Sequence, residues 1–266
     1  MLKNILGIAA VKKTKGLFML LRKALTLLIA ILGFTSLPHE GDAMPARIII
    51  LRHGEKSSSW KLSPIGSLRA KALGVQYLGN KASQTLFSEN APPAAFLAIT
   101  LHSLQLAASA ASTWKLPVIA YTVIPFIKAD GVDETFESQN LRTQQAVQDV
   151  MSNPLWNGKT IVMVWEHHHI ANKAMEAQYA PQKITLRQLL ALDQYNGTVA
   201  VPTTWPGYNY DYFWIVTYPD SNQDTNKVPV PTSFAMQLQA FTSPYDTSIP
   251  ANLWGMPEKP PQNANP

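Results

Sequence analysis

The stretch Ile48-Ile49-Ile50-Leu51-Arg52-His53-Gly54 constrains this chain more than any other. Four aliphatic residues in a row, three of them β-branched, leave no polar alternation to turn toward water. Such a run is a strand buried on both faces, as in a parallel sheet covered by helices on either side. It stops abruptly at an arginine, a histidine and a glycine. In open α/β sheets ligands bind just beyond the carboxyl ends of the strands. The run therefore delivers a cation and an imidazole to the place where a site forms, and Gly54 lets the chain turn tightly there. Arginine beside histidine suits an anion, and a phosphate in particular.

The rest of the chain supports this reading. Arg47–Leu51 is the first strand. Leu62-Ser63-Pro64 then opens a helix, with Ser63 as N-cap and Pro64 in the first helical position. Leu68, Ala72, Val75 and Leu78 follow at helical spacing, and Gly79-Asn80 ends the element. Strands are expected at Phe96–Thr100, Val118–Val123 and Ile161–Trp165. Helices are expected over His102–Trp114, Phe136–Met151 and Thr185–Leu192. Tyr210–Tyr218 and Ser233–Phe241 read as alternating, aromatic strands. Strands alternating with helices predict a single three-layer α/β domain with a mostly parallel sheet, spanning 44–243. The Pro/Asn/Gln-rich tail, 244–266, is expected to lie irregularly on the surface or to be disordered.

The chain has 266 residues, 46% of them hydrophobic, enough for a sizeable core, and no cysteine. Disulfides, thiolate metal sites and thiol nucleophiles are thereby excluded. The net charge of +5 belongs to the N-terminus. Six of the 22 basic and two of the 17 acidic residues precede Met44, leaving 16 against 15 in the remainder. That balance offers no basic face for nucleic acid. Residues 1–43 combine basic residues with the apolar stretch Ala24–Phe34 and small residues before Met44, the pattern of a signal peptide. The apolar stretch is shorter than the ~20 residues of a spanning helix. The expectation is an exported protein, periplasmic or secreted. The alternative is an uncleaved membrane anchor with the domain outside the cytoplasm. Met19 is an alternative start.

Two segments carry chemistry. In Arg52-His53-Gly54, a neutral imidazole can attack phosphorus while its other nitrogen donates elsewhere, and the guanidinium can hold phosphate oxygens. Val164-Trp165-Glu166-His167-His168-His169 also follows a buried strand. Adjacent residues point in different directions, and no His-Glu-x-x-His pattern is present, so a metal centre is not the favoured reading. One histidine is expected to enter the pocket of His53, with Glu166 as general acid. Trp165, Trp205 and Trp214 read as core packing. Asn209-Tyr210-Asp211-Tyr212 reads as a strand start rather than a pocket rim.

Ile-Leu-Arg-His-Gly-Glu-Lys at 50–56, Leu62-Ser63-Pro64-x-Gly66-x-x-Arg69-Ala70 and Val-x-Val-Trp-Glu-His at 162–167 together resemble the histidine phosphatase superfamily, with its phosphoglycerate mutase-like fold. The resemblance spans roughly Arg47 to Tyr218. It implies a phosphohistidine on His53, phosphoryl oxygens held by Arg52, and His167 as the second pocket histidine, with His169 as runner-up. Arg69 and Arg142 read as surface cations. The family's usual second arginine is replaced by Gln105, with His102 close by. His102, Gln105, Glu55 and His169 are therefore the substrate-binding candidates. The resemblance implies no metal and no cofactor. The partner is a small phosphorylated molecule, and a membrane is met only through the N-terminal segment. Three functions follow: an exported phosphomonoesterase acting through His53, a weak or inactive member that binds an anion, or a metal-dependent hydrolase on Glu166 and His167–His169. Loops at Ser57–Trp60 and Phe126–Glu137 would set specificity.

Overall fold

β1 (Arg47–Arg52) is where the apolar run places it, near the middle of a six-stranded sheet. The computed structural model describes residues 44–123, 135–220 and 227–256. The expected signal segment, 1–43, lies outside them. The other strands are β2 (Pro93–Ala98), β3 (Val118–Ala120), β4 (Thr160–Trp165), β5 (Tyr212–Thr217) and β6 (Ser233–Leu238). Their order is β3-β2-β4-β1-β5-β6. The first four run parallel, and β5 lies antiparallel to both β1 and β6.

Both faces of β1 are covered. Ile48 and Ile50 belong to one core with Leu97, Met163, Trp165 and Trp214. Ile49 and Leu51 belong to another with Leu73, Phe96, Leu106 and Phe213. Helices α1 (Pro64–Gln76) and α2 (Leu101–Thr113) cover the second face, and α3 (Thr135–Ser152) covers the first through Ala146, Val147 and Val150. This is the expected three-layer α/β arrangement. Every one of the four aliphatic side chains of β1 is fully buried, which is why no polar alternation was tolerated there.

Local signals explain where the helices begin. The Ser63 hydroxyl accepts from the Gly66 N–H, with Pro64 next in the chain, so both N-terminal expectations for α1 hold. Thr100 caps α2 by accepting from the Ser103 N–H. Glycine is required at position 66 for space. A Cβ there would fall 2.2 Å from the Glu55 carbonyl oxygen, so only glycine lets α1 close onto the loop after His53. Gly54 has no left-handed backbone, so the tight turn expected of it needs no glycine conformation; its would-be Cβ would lie 3.1 Å from the Leu106 side chain, which would have to give by a few tenths of an ångström.

The structure departs from expectation in several places. β2 starts earlier and ends at Ala98 rather than Thr100, where Thr100 caps α2 instead, and β3 stops at Ala120 rather than Val123. The segment after β4 forms a one-turn helix, α4 (His167–Ile170), followed by α5 (Lys173–Gln178). The expected helix over Thr185–Leu192 shortens to α6 (Leu186–Leu189) and a 3-10 turn at Leu192–Gln194. The start of the tail is irregular but packed. Ile249 and Asn252 are buried, and Asn252 donates two hydrogen bonds to Asp211.

Candidate active site

Register brings the chemistry together. Arg52 pairs with Trp165 across β1 and β4, and the His53 N–H donates to the Trp165 carbonyl. The residues that follow each strand, His53 and Glu166, therefore emerge side by side. β2 lies on the other side of β4, so α2 starts next to them and supplies His102. β5 returns antiparallel, which puts the residues preceding it at the same sheet edge. That placement supplies Tyr210. The site thus sits at the carboxyl ends of β1, β4 and β2, as the opening motif implied.

His53 is fully buried and oriented by its neighbour. Its Nδ1–H donates to the Gly54 carbonyl at 2.6 Å, since a carbonyl oxygen can only accept. The other ring nitrogen, Nε2, faces the site. It lies 3.1 Å from Glu166 Oε2 and 3.4 Å from Arg52 Nη2. Burial lowers the pKa of His53 below the histidine norm, against the pull of Glu166. Burial would raise the Glu166 carboxyl, but His53 and His102 outweigh it and hold Glu166 well below the usual range. Both groups are thus held below their ordinary ranges, so Nε2 presents a lone pair to the site and Glu166 stands as a carboxylate.

Glu166 has a second imidazole partner. His102 Nε2 lies 2.5 Å from Oε1, while His102 Nδ1–H donates to the Ser59 carbonyl at 3.2 Å. The ring centroids of His102 and His167 lie 4.7 and 5.8 Å from that of His53. His167 Nδ1 accepts from Arg52 Nη2 at 3.3 Å. Burial, then the positive charge of Arg52, drives the pKa of His167 down to about 2, so it is neutral.

Arg52 is buried, held by carbonyls on one edge and turned toward His53 and His167 on the other. Its Nη1 donates to the carbonyls of Pro206, Gly207 and Asn209, and the guanidinium lies 3.9 Å from the ring centroid of Tyr210. Burial brings its pKa down to about 10, still far above neutrality. Its Nε has no partner among the described residues. Nε–H and Nη2–H point the same way on a guanidinium, so the side that faces His53 is a two-donor fork. This edge is suited to an oxyanion lying against Nε2.

Above these groups opens a cleft of about 310 Å³, lined by Glu166, His102, His167, His168, Lys56 and Phe136 among others. Lys56 Nζ lies 3.9 Å from Glu166 Oε2. His53 sits behind Glu166, so the carboxylate lies between Nε2 and the cleft.

Of the sequence candidates, His53, Arg52, Glu166, His102 and His167 converge. Three do not. Gln105 is exposed, and its Oε1 accepts from the Leu62 N–H at 3.0 Å. With the Ser59 bond of His102, it ties the 57–62 loop to α2 rather than lining the cleft. Glu55 turns away onto Arg69, accepting at 2.7 and 3.1 Å. His169 points inward, where Nε2 meets Asn140 Oδ1 at 2.9 Å. His169 turns away from the other two histidines along the helical turn, whereas the rings of His167 and His168 lie against each other with centroids 3.9 Å apart and both line the cleft. Arg69, expected on the surface, is 2% exposed. It holds Glu55 on one side and Asp211 on the other at 2.7 Å. Burial alone would lower its pKa, but the two carboxylates keep it raised. Arg142 is exposed, as expected, donating to Gln145. Tyr210 and Lys56 were missed. Lys56 lies three residues past His53 in the same loop. Tyr210 reaches the site only through the antiparallel return of β5.

A metal was the least favoured reading, and His53, Glu166 and His167 do place one donor atom each within 4.8 Å of one another. The Arg52 guanidinium lies 3.4 and 3.3 Å from the two histidine nitrogens of that set. A cation already occupies the flank a divalent ion would need, so the set fits an anion better. His168 and His169 belong to other contacts, and the consecutive histidines form no chelate.

No protein-family model matches the chain, and no curated protein matches it in sequence. Among solved structures it is similar to the mycobacterial glucosyl-3-phosphoglycerate phosphatase Rv2419c, with 14% identity and a TM-score of 0.40 over 74% of this chain and 100% of that one. It is also similar to mycobacterial hydrolase 2, at 13% identity and a TM-score of 0.37 over 74% and 90%. A protein of Agrobacterium tumefaciens described as a phosphohistidine phosphatase, SixA, gives 13% and 0.30 over 65% and 92%. At these values the likenesses bear no weight, and the pocket itself must indicate the chemistry.

Proposed function

We propose that this protein is a phosphomonoesterase of the histidine phosphatase type, acting through a phosphohistidine at Nε2 of His53. The observation that carries this is the fixed tautomer of His53. Its Nδ1–H is committed to the Gly54 carbonyl, so the only lone pair available to a substrate is on Nε2. That nitrogen faces the Nη2 side of a buried arginine and a carboxylate. A nucleophile, an oxyanion holder and a proton carrier stand together.

The steps follow from this arrangement. A phosphomonoester enters with its phosphoryl oxygens on Arg52 Nε–H and Nη2–H. Its negative charge raises the proton affinity of Glu166, because two anions in one buried site disfavour each other. The proton that a monoanionic phosphomonoester brings therefore passes to Glu166, and the carboxyl moves off Nε2. Nε2 attacks phosphorus, the bond from phosphorus to the ester oxygen breaks, and Glu166 passes its proton to the departing alcohol. Water then attacks the phosphohistidine and gives its proton to Glu166, phosphate leaves, and His53 is regenerated. His102, Lys56 and the N-terminus of α2 spread the charge of the transferring group. The anion-binding alternative was motivated by Gln105, which the fold places outside the cleft.

The test is hydrolysis of 4-nitrophenyl phosphate by the full chain and by His53→Ala, with acid quenching and mass analysis of the peptide that contains His53. The expected outcome is turnover and an acid-labile phosphoryl group in the first protein only. Equal turnover in both would overturn the proposal.

A further inference from the structure

The cleft does not end at His168. A second cavity of about 440 Å³ adjoins it, and Phe136 and His168 line both. Glu137, Asn172, Met175 and Tyr179 form much of its remaining wall. The first space is lined by Glu166, which touches His53 Nε2, so a phosphoryl group reaches His53 from that space and the second lies where the organic part of a phosphomonoester would extend.

The groups at the junction have defined chemistry. The Asn172 side-chain oxygen accepts from the Met175 N–H at 3.1 Å, which turns its amide nitrogen to His168 Nδ1 at 2.9 Å. His168 Nδ1 must therefore accept, and its proton sits on Nε2. Partial burial lowers the pKa of this ring. His168 thus offers an uncharged N–H donor at the passage. Opposite it stands the ring of Phe136, with centroids 6.1 Å apart and planes at 45°. Phe136 is 45% exposed, a large aromatic face open to a cavity. The one charged side chain lining the second cavity is Glu137, which accepts from the Tyr179 hydroxyl at 3.1 Å. No lysine or arginine lines it among the described residues.

An aromatic face and neutral donors favour a ring, and a lone carboxylate disfavours a second anion. We infer that this second cavity receives the alcohol part of the substrate, and that this part is an uncharged ring rather than an acidic chain. The inference rests on the phosphatase reading above. It makes Phe136, His168 and Glu137 the residues that set specificity.

The experiment measures kcat/KM of the full chain on four esters of ordinary primary alcohols, whose intrinsic leaving-group reactivities are similar: benzyl phosphate, glucose 6-phosphate, glycerol 3-phosphate and 2-phosphoglycolate. The two ring esters are expected to exceed the two short ones by about tenfold, with 2-phosphoglycolate the poorest. Phe136→Ala lowers the ring esters by about tenfold and glycerol 3-phosphate by less than about threefold. Glu137→Lys raises 2-phosphoglycolate by about fivefold relative to the others. The inference is overturned if 2-phosphoglycolate matches the ring esters, or if Phe136→Ala lowers all four in the same proportion. Should the chain hydrolyse none of them, the phosphatase reading falls and takes this inference with it. Should hydrolysis depend on His53 without ring preference, only the inference falls.

Discussion

Glu166 joins the two halves of the pocket. It meets the β1 side at His53 Nε2 and the α2 side at His102 Nε2, at 3.1 and 2.5 Å. Its proposed task is to hold the proton that the departing alcohol needs. Glu166→Gln keeps the shape and removes that proton. The expected result is a fall in kcat of about a hundredfold on an alkyl phosphate. On 4-nitrophenyl phosphate, whose leaving group needs little protonation, the fall should be much smaller. Equal losses on both esters would remove Glu166 from the role of acid. Five candidate residues were legible in the sequence because each lies at or soon after the end of a strand: Arg52 closing β1 and His53 after it, Glu166 and His167 after β4, His102 at the start of α2 after β2. Glu55 and His169 were chosen for the same nearness and failed. Nearness in the chain says nothing of which way a side chain turns, and each had a stronger partner elsewhere, Arg69 and Asn140.

At the level of elements, the strands and the starts of α1 and α2 were readable because their signals are local. Ser63, Pro64 and Thr100 act within a single turn. The one-turn helix α4 was not readable. Four residues with three histidines carry no periodicity, and the turn forms because the Glu166 carbonyl accepts from the N–H groups of His169 and Ile170. The contact of α1 with the His53 loop makes a sharp prediction. Gly66→Ala would push a methyl group into the Glu55 carbonyl, costing about 3 kcal/mol. Ser63→Ala one turn earlier, which loses only a cap, should cost about 1 kcal/mol. Chemical denaturation of the two variants checks the order, and a Gly66→Ala protein as stable as Ser63→Ala would contradict the packing described for this helix.

The whole molecule is organised around charges that only the tertiary structure could pair. Arg69 links the loop after β1, through Glu55, to the segment before β5, through Asp211, which in turn receives Asn252 from the tail. Losing one partner of such a buried set typically costs about 3–5 kcal/mol. Burial also makes the fold sensitive to acid. His167 and His169 titrate at about 2 and about 4 in the fold, against an ordinary 6.5, with burial the main cause for both. Above pH 6.5 neither the folded nor the unfolded chain binds these protons. As pH falls from 6.5 toward 4, the unfolded chain takes them up and the folded chain does not, so stability is lost. Glu166, also held low, adds a loss of the same sign below its ordinary value of 4.5. Thermal unfolding should therefore give a Tm about 5–10 °C lower at pH 5 than at pH 8. His169→Gln should flatten that dependence, and a Tm that rises on acidification would refute this account. The sequence by itself determined the class of fold and the sheet edge where Arg52, His53 and Glu166 gather, because buried strands and helix caps are written in consecutive residues. Only the tertiary structure decided that Gln105 ties down a loop, that Arg69 is an interior ion and that Tyr210 backs Arg52. Those outcomes depend on which strands become neighbours and on which charges, once taken out of water, must find one another.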